Sequence, residues 1–200
     1  MTYHAPSQSY RLSGQMSGDD GQVIEVEYSI KGEKQVRATM RSPGSSEPFF
    51  EGWTNGIKAW RNGEPCQECM VGERTFDALN PVFKLIMADQ VLQLSNPEVK
   101  TLYAGRVENN GEIFDQIDVR SPELGMMQAY FEVATGLLRW IEGDKIGVVR
   151  YSDYREVGGE KFLPYRFEGD YDGTYLVIEL RDVSLDELPQ SLFGNPGRAN

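Results

Sequence analysis

The chain has 200 residues, 40% of them hydrophobic and 26% charged, a balance that supports a buried core and excludes a disordered chain. Its formal net charge of -11 repels phosphate backbones and anionic lipid head groups, so nucleic acid is not an expected partner. No apolar run approaches the roughly 20 residues of a membrane-spanning helix, and the opening MTYHAPSQSYRLSG has neither the basic nor the apolar part of an export signal.

The first clear element is QVIEVEYSIKG, where Ile24, Val26, Tyr28 and Ile30 alternate with Glu25, Glu27, Ser29 and Lys31. That two-residue period predicts a strand with one core face and one wet face. KQVRATMRS repeats it with Val36, Ala38 and Met40 against Arg37, Thr39 and Arg41, and the intervening GEK predicts a hairpin. After the loop SPGSSEP, the runs FFEGWTNG and IKAWRNG meet at Asn55-Gly56, a strong signal for a tight hairpin. The two cysteines, Cys66 and Cys69, form one CxxC. Zinc would need further ligands, and the one histidine, His4, sits near the terminus; a redox pair would open a helix, which PCQECMVG does not. A local disulfide or two thiols are the expected states.

The strand pattern breaks once. Asn80-Pro81 is an N-cap followed by a first-turn proline, and VFKLIMADQVLQL continues without a turn residue until Ser95, Asn96 and Pro97. A helix from Pro81 to Leu94 is predicted, with Val82, Phe83, Ile86, Met87, Val91 and Leu94 on its apolar face, laid against the sheet. Short alternating runs then follow closely: YAGRVENNG, EIFDQIDVRS, MMQAYFEVATG, LLRWIEGD, GVVRYSDYREVGG, KFLPYRFEGDYDG and TYLVIELRDV. Their turn signals describe an antiparallel meander, which must pack on another layer or curl around something. A short helical turn is expected in SLDELPQSLF, and a loose tail after Phe193.

No GxSxG, GxxxxGK or post-strand GxGxxG is present, so no catalytic residue set, cofactor or metal is expected. Asp153, Glu156, Asp170 and Asp172 read as turn and solvated carboxylates rather than a hydrolytic pair. What remains is apolar. Trp53, Trp60, Met126, Phe131 and Trp140, with Phe83, Ile86 and Met87 of the helix, either fill the core or line a cavity for an apolar ligand.

Several strings, in order, resemble the LolA/LolB-like superfamily of bacterial lipoprotein carriers and receptors. They are MRSPG followed by EPFFEGWTNGIKAW, then LNPVFKLIM, AYFEVATGLLRW, RYSDYREVGGEKFLPYRFE and the terminal DVSLDELPQSLFGNP, together spanning Tyr10 to Pro196 of a single domain. The resemblance implies a mainly β fold: a strongly curved antiparallel sheet, an unclosed half-barrel, with one inserted helix on its concave face. It implies a cavity for acyl chains, a lipid or acylated ligand as partner, and a lid-holding role for Arg41. Ser42 stands between Arg41 and Pro43, the family's N-terminal helix is missing, and the CxxC has no family counterpart. The implied location is periplasmic or cell-envelope if an export segment precedes the chain, and cytoplasmic otherwise. Non-enzymatic apolar binding is the expected function. A protein-interaction module with a packed core is the alternative, and an enzyme on the same architecture is the third.

Overall fold

A computed structural model describes residues 9–31, 35–55, 58–66, 99–121, 125–144, 146–157, 161–171, 174–185 and 187–193. The helix expected from Pro81 to Leu94 lies outside the described residues. The strands are β1 (Ser9–Ser17), β2 (Val23–Lys31), β3 (Gln35–Arg41), β4 (Phe50–Asn55), β5 (Ala59–Arg61), β6 (Glu64–Pro65), β7 (Lys100–Asn109), β8 (Glu112–Ser121), β9 (Gly125–Glu132), β10 (Leu138–Gly143), β11 (Gly147–Val157), β12 (Lys161–Tyr171) and β13 (Thr174–Ser184). They form one 13-stranded antiparallel sheet in the order β6-β5-β4-β3-β2-β1-β13-β12-β11-β10-β9-β8-β7, which is not closed. By contact density the chain divides into two compact units, one holding β1 to β6 and the residues from Ile178 onward, the other holding β7 to β10.

In the first unit the alternation read from the sequence is the alternation of the sheet. Leu12 pairs with Tyr28, Tyr28 with Ala38, and Val26 with Met40, so these five side chains share one face, where each is buried, while Ile24 on the same face is half-buried. Strand β1 is not assigned by the sequence reading. Its apolar positions Leu12 and Met16 flank Gly14, and that gap weakens the period. Gly14 is required by packing: a Cβ built there would lie 2.2 Å from the Glu179 carbonyl oxygen and 2.9 Å from Leu180 Cα.

The face expected to be wet is only partly so. Ser29, Thr39 and Trp53 lie on it and are buried. The reason is the C-terminal segment. The 3-10 turn Gln190–Phe193, falling within the expected SLDELPQSLF, packs on β3 and β4, and Phe193 is wholly buried. Upstream, the Leu188 backbone N–H donates to Ser9 Oγ at 2.7 Å, and Lys31 Nζ donates to the Leu188 carbonyl at 2.7 Å.

In the second unit Val119 pairs with Met127, and in a separate row Ala129 pairs with Ile141 and Ile141 with Val149, all of them buried. The pairing of β9 with β10 carries a bulge: Leu138 faces Phe131, yet Trp140 faces Tyr130, leaving Arg139 as the extra residue. Regular pairing would have placed Trp140 opposite Ala129 on the core face. The bulge keeps Leu138 and Ile141 buried while turning Trp140 to the other side.

Because the atoms facing Gly14 are backbone and cannot rotate away, Gly14→Ala is expected to cost about 3 kcal/mol or more. Urea unfolding checks this: the midpoint should fall with little change in slope, whereas an unchanged midpoint would show that the β1 and β13 backbones are not in close contact there.

Candidate functional site

Two groupings of side chains stand out, one in each unit. In the second unit Phe114, Tyr130 and Trp140 share a face. Tyr130 and Trp140 stack at 4.3 Å between ring centroids with planes 15° apart, and Phe114 meets Trp140 edge-on at 4.6 Å and 69°. Phe114 and Tyr130 are buried and Trp140 is half-buried, so the indole is the accessible part of the stack. Tyr130 Oη donates to Glu142 Oε1 at 2.6 Å. Burial first, and then the nearby Glu142 carboxylate, push the Tyr130 hydroxyl up to about 12. On the same face Gln116 Nε2 donates to Asp118 Oδ1 at 3.2 Å, Arg120 pairs with Met126, and Leu102 pairs with Asp118. Met126 and Leu102 are exposed.

The first unit holds a polar cleft of about 200 Å³, lined by Glu27, Ser29, Arg37, Thr39, Arg41, Pro48, Glu51 and Leu192. Sheet register assembles it. Glu27 pairs with Thr39 and Thr39 with Glu51; Ser29 pairs with Arg37 and Arg37 with Trp53. Arg37 donates to Glu51 Oε1 through Nε at 3.0 Å and also through Nη2. Arg41 Nη1 and Arg11 Nε stand 3.7 Å and 3.5 Å from the two oxygens of Glu27.

The structure therefore separates the residues grouped by sequence. Arg41, Trp53 and Trp60 share the cleft's face of the first unit, where Trp53 and Trp60 are buried and stacked at 5.8 Å with planes 9° apart. Met126 and Trp140 lie on the aromatic face of the second unit, whereas Phe131, opposite Asp115 and Leu138, lies on the other side. Phe83, Ile86 and Met87 lie outside the described residues. Sequence reading misses Phe114 and Tyr130, although both alternate in step with their strands, and it misses the cleft, whose residues fit no motif. Cys66 is disulfide-bonded. Among the described residues, the buried Tyr28 Oη and Trp53 Nε1 find no hydrogen-bond partner, and burial raises the Tyr28 hydroxyl above its ordinary value.

No family model and no curated protein matches the sequence. Solved structures do match. A LolA superfamily protein from Nitrosomonas europaea is 12% identical, with 96% of this chain and 91% of that one covered at a TM-score of 0.62. A putative outer membrane lipoprotein-sorting protein domain from Vibrio parahaemolyticus is 6% identical, covering 94% and 90% at 0.56. A DUF1329 family protein from Desulfovibrio piger is 12% identical, covering 95% and 91% at 0.57. The chain has the fold of the LolA superfamily. At these identities the likeness establishes the fold and nothing finer. Among the described residues no helix is long and apolar enough to cross a membrane.

The Tyr130 shift has a defined sign. The folded state holds the proton more tightly than the unfolded chain, whose phenol ionises at the ordinary 10.0 against about 12 in the fold. Its stabilising contribution is complete below pH 10.0 and is lost as pH rises toward about 12. Alkaline ultraviolet titration of wild type against Tyr130→Phe should show one missing phenol that ionises late. In Glu142→Gln that phenol should ionise earlier but still above 10.0, because burial is the larger cause; ionisation at the ordinary value would contradict the packing described for Tyr130.

Proposed function

We propose that the protein is a non-enzymatic carrier or receptor of an apolar ligand, a lipid or the acyl chain of an acylated polypeptide. The observation that carries this reading is the accessible edge of the Phe114, Tyr130 and Trp140 stack on a face that also holds Met126 and Leu102, which are 56% and 68% exposed. Large apolar side chains left open on the same face as an aromatic stack are chemically suited to methylene chains. The fold agrees, being shared with a LolA superfamily protein and a lipoprotein-sorting domain. In this reading the Pro81 to Leu94 helix covers the ligand, with Phe83, Ile86 and Met87 as a movable wall and Phe131 supporting the strand behind it. Trp53 and Trp60 brace the sheet near Arg41, the residue matching the family's lid arginine. A disulfide at Cys66 suits an oxidising compartment, in keeping with the periplasm or cell envelope.

A second reading, a protein-interaction module, rests on Leu102, Tyr103 and Ile113, exposed by 68%, 55% and 51% on β7 and β8 at one end of the strand order.

Native mass spectrometry of freshly purified protein separates the two. The carrier reading expects adducts in the lipid mass range, displaced by added fatty acid. A clean apo mass, with no uptake of fatty acid or acylated peptide, favours the module. Variants sharpen the result: Trp140→Ala should weaken binding of a fluorescent fatty acid about ten-fold, as loss of one aromatic contact of 1–2 kcal/mol implies. Phe83→Ala should strengthen it by vacating space the ligand enters. If Phe83→Ala merely unfolds the chain, Phe83 is ordinary core and the movable wall is wrong.

A further inference from the structure

The C-terminal segment of the first unit sits on the sheet without joining it. Strand β13 ends at Ser184, and residues 187–193 add no further strand. Two side chains anchor the segment: Leu188 and Phe193 are buried, whereas Glu187, Pro189, Gln190 and Ser191 are exposed. Its backbone contacts, among the described residues, are the Leu188 N–H to Ser9 Oγ, the Leu188 carbonyl from Lys31 Nζ, and the Leu192 N–H to the Pro189 carbonyl inside the turn. None of these belongs to a ladder, so the segment can leave without unpairing a strand.

The two contacts at Leu188 are informative because both read main-chain atoms, one the N–H and one the C=O of the same residue. Ser9 and Lys31 would offer them equally to another peptide. The segment lies on the face of Arg37, Trp53 and Trp60, since Leu192 lines the cleft together with Arg37 and Glu51 and the turn packs on β3 and β4. Trp53 and Trp60 are buried and stacked there. The fit is incomplete. Trp53 Nε1 is buried and finds no acceptor, a costly state for an indole N–H. Beside Leu192 the cleft of about 200 Å³ stays open. An incoming segment that brings an acceptor to Trp53 Nε1 relieves a cost that the chain's own segment leaves in place, and that difference lets it compete.

We propose that this face of the first unit is a peptide-binding groove held closed by the chain's own C-terminal segment, and that it takes from a partner protein a segment with two apolar side chains spaced as Leu188 and Phe193 are. Ser9 and Lys31 hold the main chain at the first anchor, the second anchor takes the place of Phe193, and a carbonyl of the partner accepts from Trp53 Nε1.

Nitrogen-15 NMR of full-length Phe193→Ala, titrated with the peptide SLDELPQSLF, tests the groove. Saturable shifts are expected at the Ser9 and Lys31 amides and at the Trp53 indole N–H. Wild type should bind the peptide about ten-fold or more weakly, because its groove is free only in the minor open state. The same peptide ending in Ala should lose about ten-fold or more in affinity for the variant, as loss of a buried aromatic anchor implies. Hydrogen exchange of wild type tests displacement without any variant: the Leu188 amide and the Trp53 indole N–H should exchange at least about a hundred-fold faster than the Tyr28 and Ala38 amides, because the segment opens without global unfolding. The proposal is overturned if the peptide does not bind folded Phe193→Ala, if it binds wild type equally well, or if those protons exchange no faster than the core. Wild-type dimers that form with rising concentration and vanish in Phe193→Ala would put a second copy in place of the partner and overturn it as well. The peptide carries no acyl chain and the groove lies in the first unit, so its failure and that of the carrier reading are distinguishable.

Discussion

The register of the antiparallel ladder is the constraint on which everything else depends. Side chains alternate across a strand, so each cross-strand row commits its residues to one face. The row Arg11, Ser29, Arg37, Trp53, Trp60 lies on the cleft's side, and the neighbouring row Leu12, Tyr28, Ala38 lies in the core. Slipping β2 by one residue would expose Val26, Tyr28 and Ile30 together. At about 1.5–3 kcal/mol for each large apolar side chain, that penalty is comparable with the whole stability of a small domain. The ion pairs cannot compete with it. Arg37 with Glu51 and Arg41 with Glu27 are partly exposed, where such pairs contribute about 0–1 kcal/mol. They shape the polarity of the cleft rather than holding the sheet.

Departures from strict alternation matter for the same reason. One extra residue, Arg139, rephases β10 so that Leu138 and Ile141 both reach the core and Trp140 turns onto Tyr130. The aromatic stack is a product of that bulge. In the other unit the cleft depends on the chain's end: Leu188 is anchored to Ser9 and Lys31, and the turn ending at Phe193 lies over β3 and β4, supplying Leu192 to the cleft wall. Residues near opposite ends of the sequence meet there.

Much of the fold was legible. The period of Ile24 to Ile30 and of Val36 to Met40 corresponds to the observed faces, and the runs after Leu102 correspond to β7 to β13. The Asn55-Gly56 signal falls between β4 and β5, which pair through Trp53 and Trp60. Strand β1 was not legible, because Gly14 interrupts its apolar period for a tertiary reason, close approach of the β13 backbone. The candidate site was less legible still. Grouping residues by apolar character mixed two faces of one sheet: Trp53 and Trp60 sit among arginines and glutamates, covered by a terminal segment that local alternation cannot reveal. Trp140 could be assigned to a face only by knowing of the bulge at Arg139. Ser29 and Thr39 looked like ordinary solvent-facing positions and are buried by the same terminal cover.

The most direct measurement is the pattern of long-range proton contacts across the strands by nuclear Overhauser spectroscopy. The account predicts backbone contacts linking Ser29 to Arg37, Arg37 to Trp53, and Trp140 to Tyr130. Contacts placing Trp140 opposite Ala129, or Ser29 opposite Ala38, would mean that register does not divide the side chains as described, and both the aromatic face and the cleft would have to be abandoned.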